Sequence, residues 1–494
     1  MKYYILAIDQ GTTGTTTILY NNRGEIHAKG YQELTQSYPK PGWVEHDPEE
    51  IWKTVTTTLQ QALSKGKVKP SQIAAIGITN QRETTILWDR KTGKPLHPAI
   101  VWQCRRTAPD CNTLKKLHMQ DFFRKKTGLP IDAYFSATKI TWLMREVGAV
   151  RQAIQKGTAA FGTVDSWLLW KLTNGKSHGS DFTNASRTML FNIHEKKWDP
   201  DILMRLRIPP SLLPTVLPSS FPFGTTEKVP GLMDGIPITG IAGDQQAALF
   251  GQTCFEPGES KNTYGTGCFV LVNTGKKVPH SKQLITTLGV NGKGEPIYVV
   301  EGSIFIAGAV IQWLRDELKI IKHAKESETL ATSIKNNNGV YFVPAFVGLG
   351  APYWDMEARG AITGLTRGSG QAEITRAALE SIAYQTKEIV DVLSKETKCS
   401  IPRLKVDGGA AQNNFLMQFQ ADLLQKPVIR PRVIETTSLG AAYLAGLQIG
   451  YWKSAGELKK LWQVEKIFYP KMGKKERDTL YKGWRGAVAS VLNA

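Results

Sequence analysis

The run Leu6-Ala7-Ile8-Asp9-Gln10-Gly11-Thr12-Thr13-Gly14-Thr15-Thr16 constrains this chain most strongly, because an apolar strand ends on one carboxylate and then turns through glycines and hydroxyls. Backbone N–H groups in such a turn form a concave donor surface suited to phosphate oxygens, and Asp9 can hold a magnesium ion through its water shell. An ordinary β-turn with Asp-Gln-Gly chemistry is the alternative. The pattern recurs downstream. Residues 236–243 are again strand-like, end on Asp244 and run into Gln245-Gln246-Ala247-Ala248-Leu249-Phe250, a helix opening. A third Gly/Thr turn, Gly265-Thr266-Gly267, feeds the apolar run Cys268-Phe269-Val270-Leu271-Val272, and a fourth follows Leu404-Lys405-Val406-Asp407 at Gly408-Gly409, ahead of Asn413-Asn414. Repetition of one strand-to-turn unit points to two related halves.

A chain of 494 residues with 41% apolar content can bury a large core and divides into about two domains. The expected joint lies near Gly251 to Gly258, giving domains 1–250 and 251–494. Strand-like and helical segments alternate: a β-hairpin from Tyr3 to Ile26, a helix near Pro48 to Ser64, a strand Ile73 to Thr79, and a long helix Gln371 to Glu396. That alternation argues an α/β class. No apolar run reaches the ~18 residues that span a bilayer, and the N-terminal run stops at Asp9, too early for a secretory segment. A soluble, cytoplasmic protein without stable membrane insertion is expected. Five cysteines without C-x-x-C spacing indicate neither a disulfide framework nor a zinc cluster. The net charge of +19 comes without a nucleic-acid motif, so no nucleic-acid partner is expected. The basic stretch Lys453 to Arg485, with Trp462, Phe468, Tyr469 and Trp484 at spacings typical of packed helices, reads as a solvated helix face.

No G-x-x-x-x-G-K-[ST] segment exists, so phosphate would have to be held by another plan. Phosphoryl transfer needs screened phosphates, a metal and a group that accepts the proton of the attacking hydroxyl. Asp9 is the candidate metal holder and Asp244 the candidate base. Arg82-Glu83 follows the buried-looking strand 73–78, at the sheet edge where ligands bind in α/β folds, with a plain surface ion pair as the alternative. Tyr134 precedes a helix for which Ser136 is the expected N-cap, and Tyr134 could equally be core filler.

These segments, together with Pro41-Gly42-Trp43-Val44-Glu45-His46-Asp47-Pro48, Val101 to Arg106, Asn184 to Phe191 and Gly243 to Gly251, resemble the glycerol kinases of the FGGY carbohydrate kinase family from end to end. The resemblance implies two RNase H-like domains of the actin, sugar kinase and Hsp70 superfamily closing over a central cleft. It implies ATP-dependent phosphorylation of glycerol with Mg2+, in a homo-oligomer, dimer or tetramer. By the same resemblance, Arg82, Glu83, Tyr134, Asp244 and Gln245 hold the polyol hydroxyls, Trp102 and Phe269 wall its carbon edge, and Asp244 takes the proton. Thr12, Thr13 and Gly14, with Thr266 and Gly267, bracket the phosphates. Asp9 helps place the metal, and Gly308, Gln312, Gly409 and Asn413 line the nucleotide pocket. One position departs from the family pattern. Glycerol kinases usually carry an arginine near the phosphates where this chain has Thr16, which puts rate or ATP affinity in doubt. Another FGGY polyol or ketose kinase is the nearer rival reading, and a non-catalytic nucleotide-binding scaffold the more distant one.

Overall fold

The computed structural model describes residues 3–279, 281–355 and 357–492. The chain forms two compact units. The first comprises 1–253, 287–297 and 436–461, and the second 254–286, 298–435 and 462–494. The first boundary, between Thr253 and Cys254, lies within the stretch Gly251 to Gly258, and the chain later returns to the first unit.

The first unit is built on a six-stranded sheet of β1 (Tyr4–Gln10), β2 (Gly14–Tyr20), β3 (Ile26–Glu33), β4 (Ile73–Asn80), β5 (Ser220–Thr225) and β6 (Pro237–Gly243). Their spatial order is β5-β6-β4-β1-β2-β3. β1, β2 and β3 pair antiparallel, β1, β4 and β6 pair parallel, and β5 closes the edge antiparallel to β6. Ile5 to Ile8 are fully buried, as expected for a strand covered on both faces.

The second unit repeats this plan with β7 (Ser260–Tyr264), β8 (Cys268–Gly275), β9 (Pro296–Ile304), β10 (Leu404–Asp407), β11 (Val428–Pro431) and β12 (Val464–Phe468). These strands run in the order β9-β8-β7-β10-β11-β12, with β9/β8, β8/β7 and β11/β12 antiparallel and β7/β10/β11 parallel. Over these six strands order and direction match the first sheet, and a seventh strand, Ile285–Val290, adds to the edge beside β9. The long helix occupies Gln371–Thr397, one residue beyond its expected end. The basic C-terminal stretch is not helical throughout: helix Ala455–Leu461 leads into the edge strand β12, and then helix Lys474–Leu492 buries Trp484. Strand pairing with β11 outweighs the aromatic spacing that suggested a helix there.

Helix Thr436–Gln448 covers one face of the first sheet, and helix Pro48–Gly66 the other, where Thr54 and Thr58 bond the hydroxyls of Thr15 and Thr17. The close fit of the 436–448 helix depends on glycine. A Cβ on Gly77 would sit 2.3 Å from the carbonyl oxygen of Ala441, one on Gly240 2.6 Å from the amide of Ala445, and one on Gly440 1.8 Å from the carbonyl oxygen of Ala247. All of these neighbours are backbone atoms, which cannot swing aside as a side chain can. Gly440→Ala should therefore destabilise the protein by about 1–3 kcal/mol. By contrast Gly486→Ala, in an open helical position with no atom within 4 Å, should be neutral or stabilising by up to about 1 kcal/mol. Urea denaturation of the two variants would check the contrast, and equal stabilities would contradict it.

Candidate active site

The three parallel strands of the first sheet finish level: Gln10 stands opposite Asn80, and Asn80 opposite Gly243. The segments that follow, Gly11–Thr13, Gln81–Glu83 and Asp244, therefore leave the sheet side by side at its carboxyl edge, where α/β sheets bind ligands.

The first turn is closed by the Gly11 amide donating to the Gly14 carbonyl at 2.9 Å, and Gly14 has no room for a Cβ, which would lie 2.7 Å from the Gln32 carbonyl oxygen. Thr12 accepts a 2.8 Å bond from the Trp102 indole N–H, while Thr13 is exposed. The buried Gln81 amide donates to the Gln10 side chain at 3.1 Å and to the Gly11 carbonyl at 3.3 Å, fixing the turn from below. Asp9, half-buried, pairs across the ladder with Thr16 on one side and Thr79 on the other, so these three share a face.

Asp244 is the first residue of helix Asp244–Gly251. The Arg82 Nε approaches its Oδ1 at 2.9 Å, and the Gln245 amide donates to the same oxygen at 2.7 Å. Both contacts hold that oxygen in place at the start of the helix. The Arg82 side chain is almost wholly buried, and Gly243 makes room for it: a Cβ there would meet Arg82 Cγ and Cδ at 2.7 Å. Arg82 also donates to Gln246 Oε1 at 3.2 Å, whereas the side chain of Gln245 is buried beside Asp244.

Glu83 has left-handed backbone geometry, φ 61°, and is buried. Its carbonyl accepts bonds from the Ser136 hydroxyl at 3.0 Å and from Lys139 Nζ at 3.5 Å, and Lys139 also donates to the Tyr134 carbonyl at 2.8 Å. Burial pulls the Lys139 ammonium down to about 8, opposed by the nearby Glu83 charge. Ser136 thus does not cap its helix as expected. Phe135 occupies the N-cap position, and the serine hydroxyl is spent on Glu83. The Tyr134 ring lies 5.5 Å from that of Trp102, so the two aromatic groups adjoin.

Residues given no role from sequence hold this cluster. Asp181 caps the short helix Phe182–Ala185. The Thr183 hydroxyl accepts the Gly243 amide at 2.8 Å, and Asn184 exchanges side-chain bonds with Asn80 at 3.0 and 3.2 Å. The Arg187 Nε bonds the Glu83 carboxylate. Burial raises the Asp181 carboxyl above its usual range. The sequence signal for this group was the family-like segment Asn184 to Phe191, to whose residues no role was given.

In the second unit, Thr266 and Gly267 form the turn between β7 and β8. The Thr266 carbonyl accepts the Ala307 and Ala309 amides at 2.8 and 3.1 Å, and the Gly308 amide bonds the Gly265 carbonyl at 2.9 Å. This packs the turn against helix Gly308–Asp316, and a Cβ on Gly308 would lie 2.5 Å from the Gly265 carbonyl oxygen. Gln312 is exposed one turn along that helix. Gly409 opens the turn after β10, and Asn413 caps helix Asn414–Leu424 by accepting the Leu416 amide at 2.9 Å. Phe269 is half-buried on β8, opposite Thr263 and Ser303.

Two sheets of one topology, each with a glycine and hydroxyl turn after its first parallel strand, and a helix-start aspartate held by arginine define a sugar-kinase-type phosphotransferase of the RNase H-like class. The N-terminal domain model of the FGGY family of carbohydrate kinases matches residues 4–251 and the C-terminal domain model residues 260–449. The chain belongs to this family. It is 57% identical to glycerol kinase 2 of Thermotoga maritima, over 99% of both chains, and 57% identical to a glycerol kinase of Thermoanaerobacter sp., over 100% of this chain and 99% of that one. Among solved structures, Plasmodium falciparum glycerol kinase with ADP superposes with a TM-score of 0.91 at 39% identity, covering 99% of this chain and 98% of the other.

Gly243→Ala should push Arg82 off the Asp244 carboxylate. A displacement near 1 Å at such a site costs about 100-fold in kcat/KM. Steady-state kinetics alongside thermal melting would check this, with near wild-type kcat/KM counting against the geometric role of Gly243.

Proposed function

We propose that the protein transfers the γ-phosphoryl group of ATP to glycerol, making sn-glycerol 3-phosphate. The observation that carries this reading is the Arg82–Asp244 ion pair next to buried Glu83, whose carbonyl accepts from Lys139 together with that of Tyr134, a ring 5.5 Å from Trp102. The full-length similarity to glycerol kinases supports it. Arg82 and Glu83 supply a donor and an acceptor for vicinal hydroxyls, and Tyr134 and Trp102 an apolar wall for the carbon edge, joined in this reading by Phe269 and Gln245. A site that bonds every hydroxyl rejects analogues that leave its buried partners unpaired.

Asp244 is the general base. Its carboxylate, oriented by Arg82 and by the Gln245 amide, takes the proton of the glycerol O3 hydroxyl as that oxygen attacks the γ-phosphorus. The amides of the Gly11–Gly14 turn and the hydroxyls of Thr12 and Thr13 receive phosphate oxygens, as do Thr266 and Gly267 in the second unit. Gly308, Gln312, Gly409 and Asn413 serve the nucleotide. Among the described residues no group of three or more His, Cys, Asp or Glu side chains forms a metal cage. Asp9, half-buried on a face shared with Thr16 and Thr79, suits magnesium carried on ATP, which keeps most of its waters and needs only one or two carboxylates. Asp9 would hold it, and the ion would neutralise phosphate charge when bound. A cytoplasmic homo-oligomer, dimeric or tetrameric, belongs to the same reading.

A coupled assay of ADP release tests the proposal directly: turnover should require glycerol, and glycerol should exceed xylulose, erythritol and dihydroxyacetone in kcat/KM. Loss of that dependence, or a ketose preference, would overturn it. Asp244→Asn should lower kcat by roughly 10² to 10⁴ while glycerol binding persists, since it keeps the shape and removes the proton acceptor. Near wild-type kcat would make Asp244 structural.

Thr16 faces Asp9 where the family usually has arginine. Thr16→Arg should lower the KM for ATP or raise kcat by adding a cation beside the phosphate turn. Kinetics with varied ATP decide this, and unchanged values would mean that the departure is harmless.

A further inference from the structure

We propose that Arg187 is a positioning residue for the polyol, setting Glu83 and Tyr134 in one shared geometry. The inference rests on the glycerol assignment above. Arg187 is fully buried, a placement that arginine rarely takes unless its charge is paired. Its Nε bonds the Glu83 carboxylate, itself buried. The same guanidinium lies 5.2 Å from the centre of the Tyr134 ring and 5.4 Å from that of Phe135. One planar cation therefore touches both the acidic and the aromatic parts of the polyol set, through an ion pair and through cation–π contact.

The backbone around Arg187 is held as firmly as its side chain. The Arg187 amide donates to the Asn184 carbonyl at 3.0 Å, at the end of the helix that Asp181 caps, and the Ala137 amide donates to the Thr188 carbonyl at 2.9 Å. The second bond ties this turn to the helix that follows Tyr134. Glu83 needs such support, because its left-handed backbone is strained for a residue with a side chain and is stable only when its surroundings impose it. Ser136 and Lys139 secure its carbonyl, and Arg187 orients its carboxylate. Arg187 thus acts through Glu83 and Tyr134 on ground-state binding of the polyol and has no part in proton transfer at Asp244.

The test compares Arg187→Met, Arg187→Lys, Glu83→Gln and the Arg187→Met/Glu83→Gln double variant. Arg187→Met should raise the KM for glycerol by roughly tenfold or more, with kcat at saturating glycerol and the KM for ATP within about threefold of wild type. Arg187→Lys should fall between, because it restores the charge without the planar stacking on Tyr134. The double variant should be little worse for glycerol than Glu83→Gln alone, the non-additivity of residues acting through one contact. Should Arg187→Met fail to fold, Arg187→Lys carries the test by the same split between the two KM values. Equal rises in both KM values, an unchanged KM for glycerol, or additive losses in the double variant would overturn the proposal. Wild-type turnover on glycerol tests the assignment itself, and the ratios between variants and wild type test Arg187.

Discussion

The register of three parallel strands is the constraint on which the first unit depends. Because Gln10, Asn80 and Gly243 stand level, the phosphate turn, the Arg82-Glu83 loop and the Asp244 helix emerge from one edge of one sheet. Side chains alternate along a strand, so a slip of one residue in any of the three would turn its set to the opposite face. Asp9 would then exchange places with Gln10, and a carboxylate would face helix Pro48–Gly66. The register is specified by side-chain size: Ala7 and Gly77, paired, stand on the face where a Cβ at 77 would meet Ala441, and the larger Ile8 and Ile78, paired, on the other.

Level strand ends are also backbone ends, and each leaves polar groups that water does not reach. Gln81 supplies partners at the Gln10 end, and the turn from Asp181 to Thr188 at the other two. Thr183 takes the Gly243 amide, Asn184 and Asn80 satisfy each other, and Asp181 accepts from Thr183, Asn184 and Ser219. A buried carboxylate is tolerable only when bonded in this way. Its neighbour Asp165, pushed up to about 7 by burial and then by the Asp181 charge, is likewise bonded to the hydroxyls of Thr163 and Ser180. The network is polar inside and apolar around, so it fixes position as well as composition.

What could be read in advance was whatever a short stretch of chain determines by itself. The Asp9 and Asp244 turns are local events, with a strand ending on a carboxylate or glycine, and they stand where the residue pattern put them. The duplicated topology was visible in outline for the same reason. Ser136 failed as a cap because a serine before a helix has two outlets for its hydroxyl, and the choice was made by Glu83, fifty-three residues earlier in the chain. Arg187 and Lys139 carry a stronger version of the same difficulty: residue type alone places arginine and lysine in solvent, and only the fold shows that both are enclosed. The β12 strand was hidden by aromatic spacing, since pairing with β11 is a property of two distant segments together.

Helix Thr436–Gln448 packs against strands that lie two hundred to four hundred residues before it, with glycines at the contacts. A ribosome delivers the sheet long before it delivers this cover. During synthesis, then, the face of β1, β4 and β6 that carries Gly77 and Gly240 stands bare while the whole stretch up to Glu435 is still being made. Nascent apolar surface of that kind is where chains misassociate and where holding chaperones act. The glycines that let the helix seat closely at the end are the same ones that leave this waiting face low, beside the small side chains of Ala7 and Ala242.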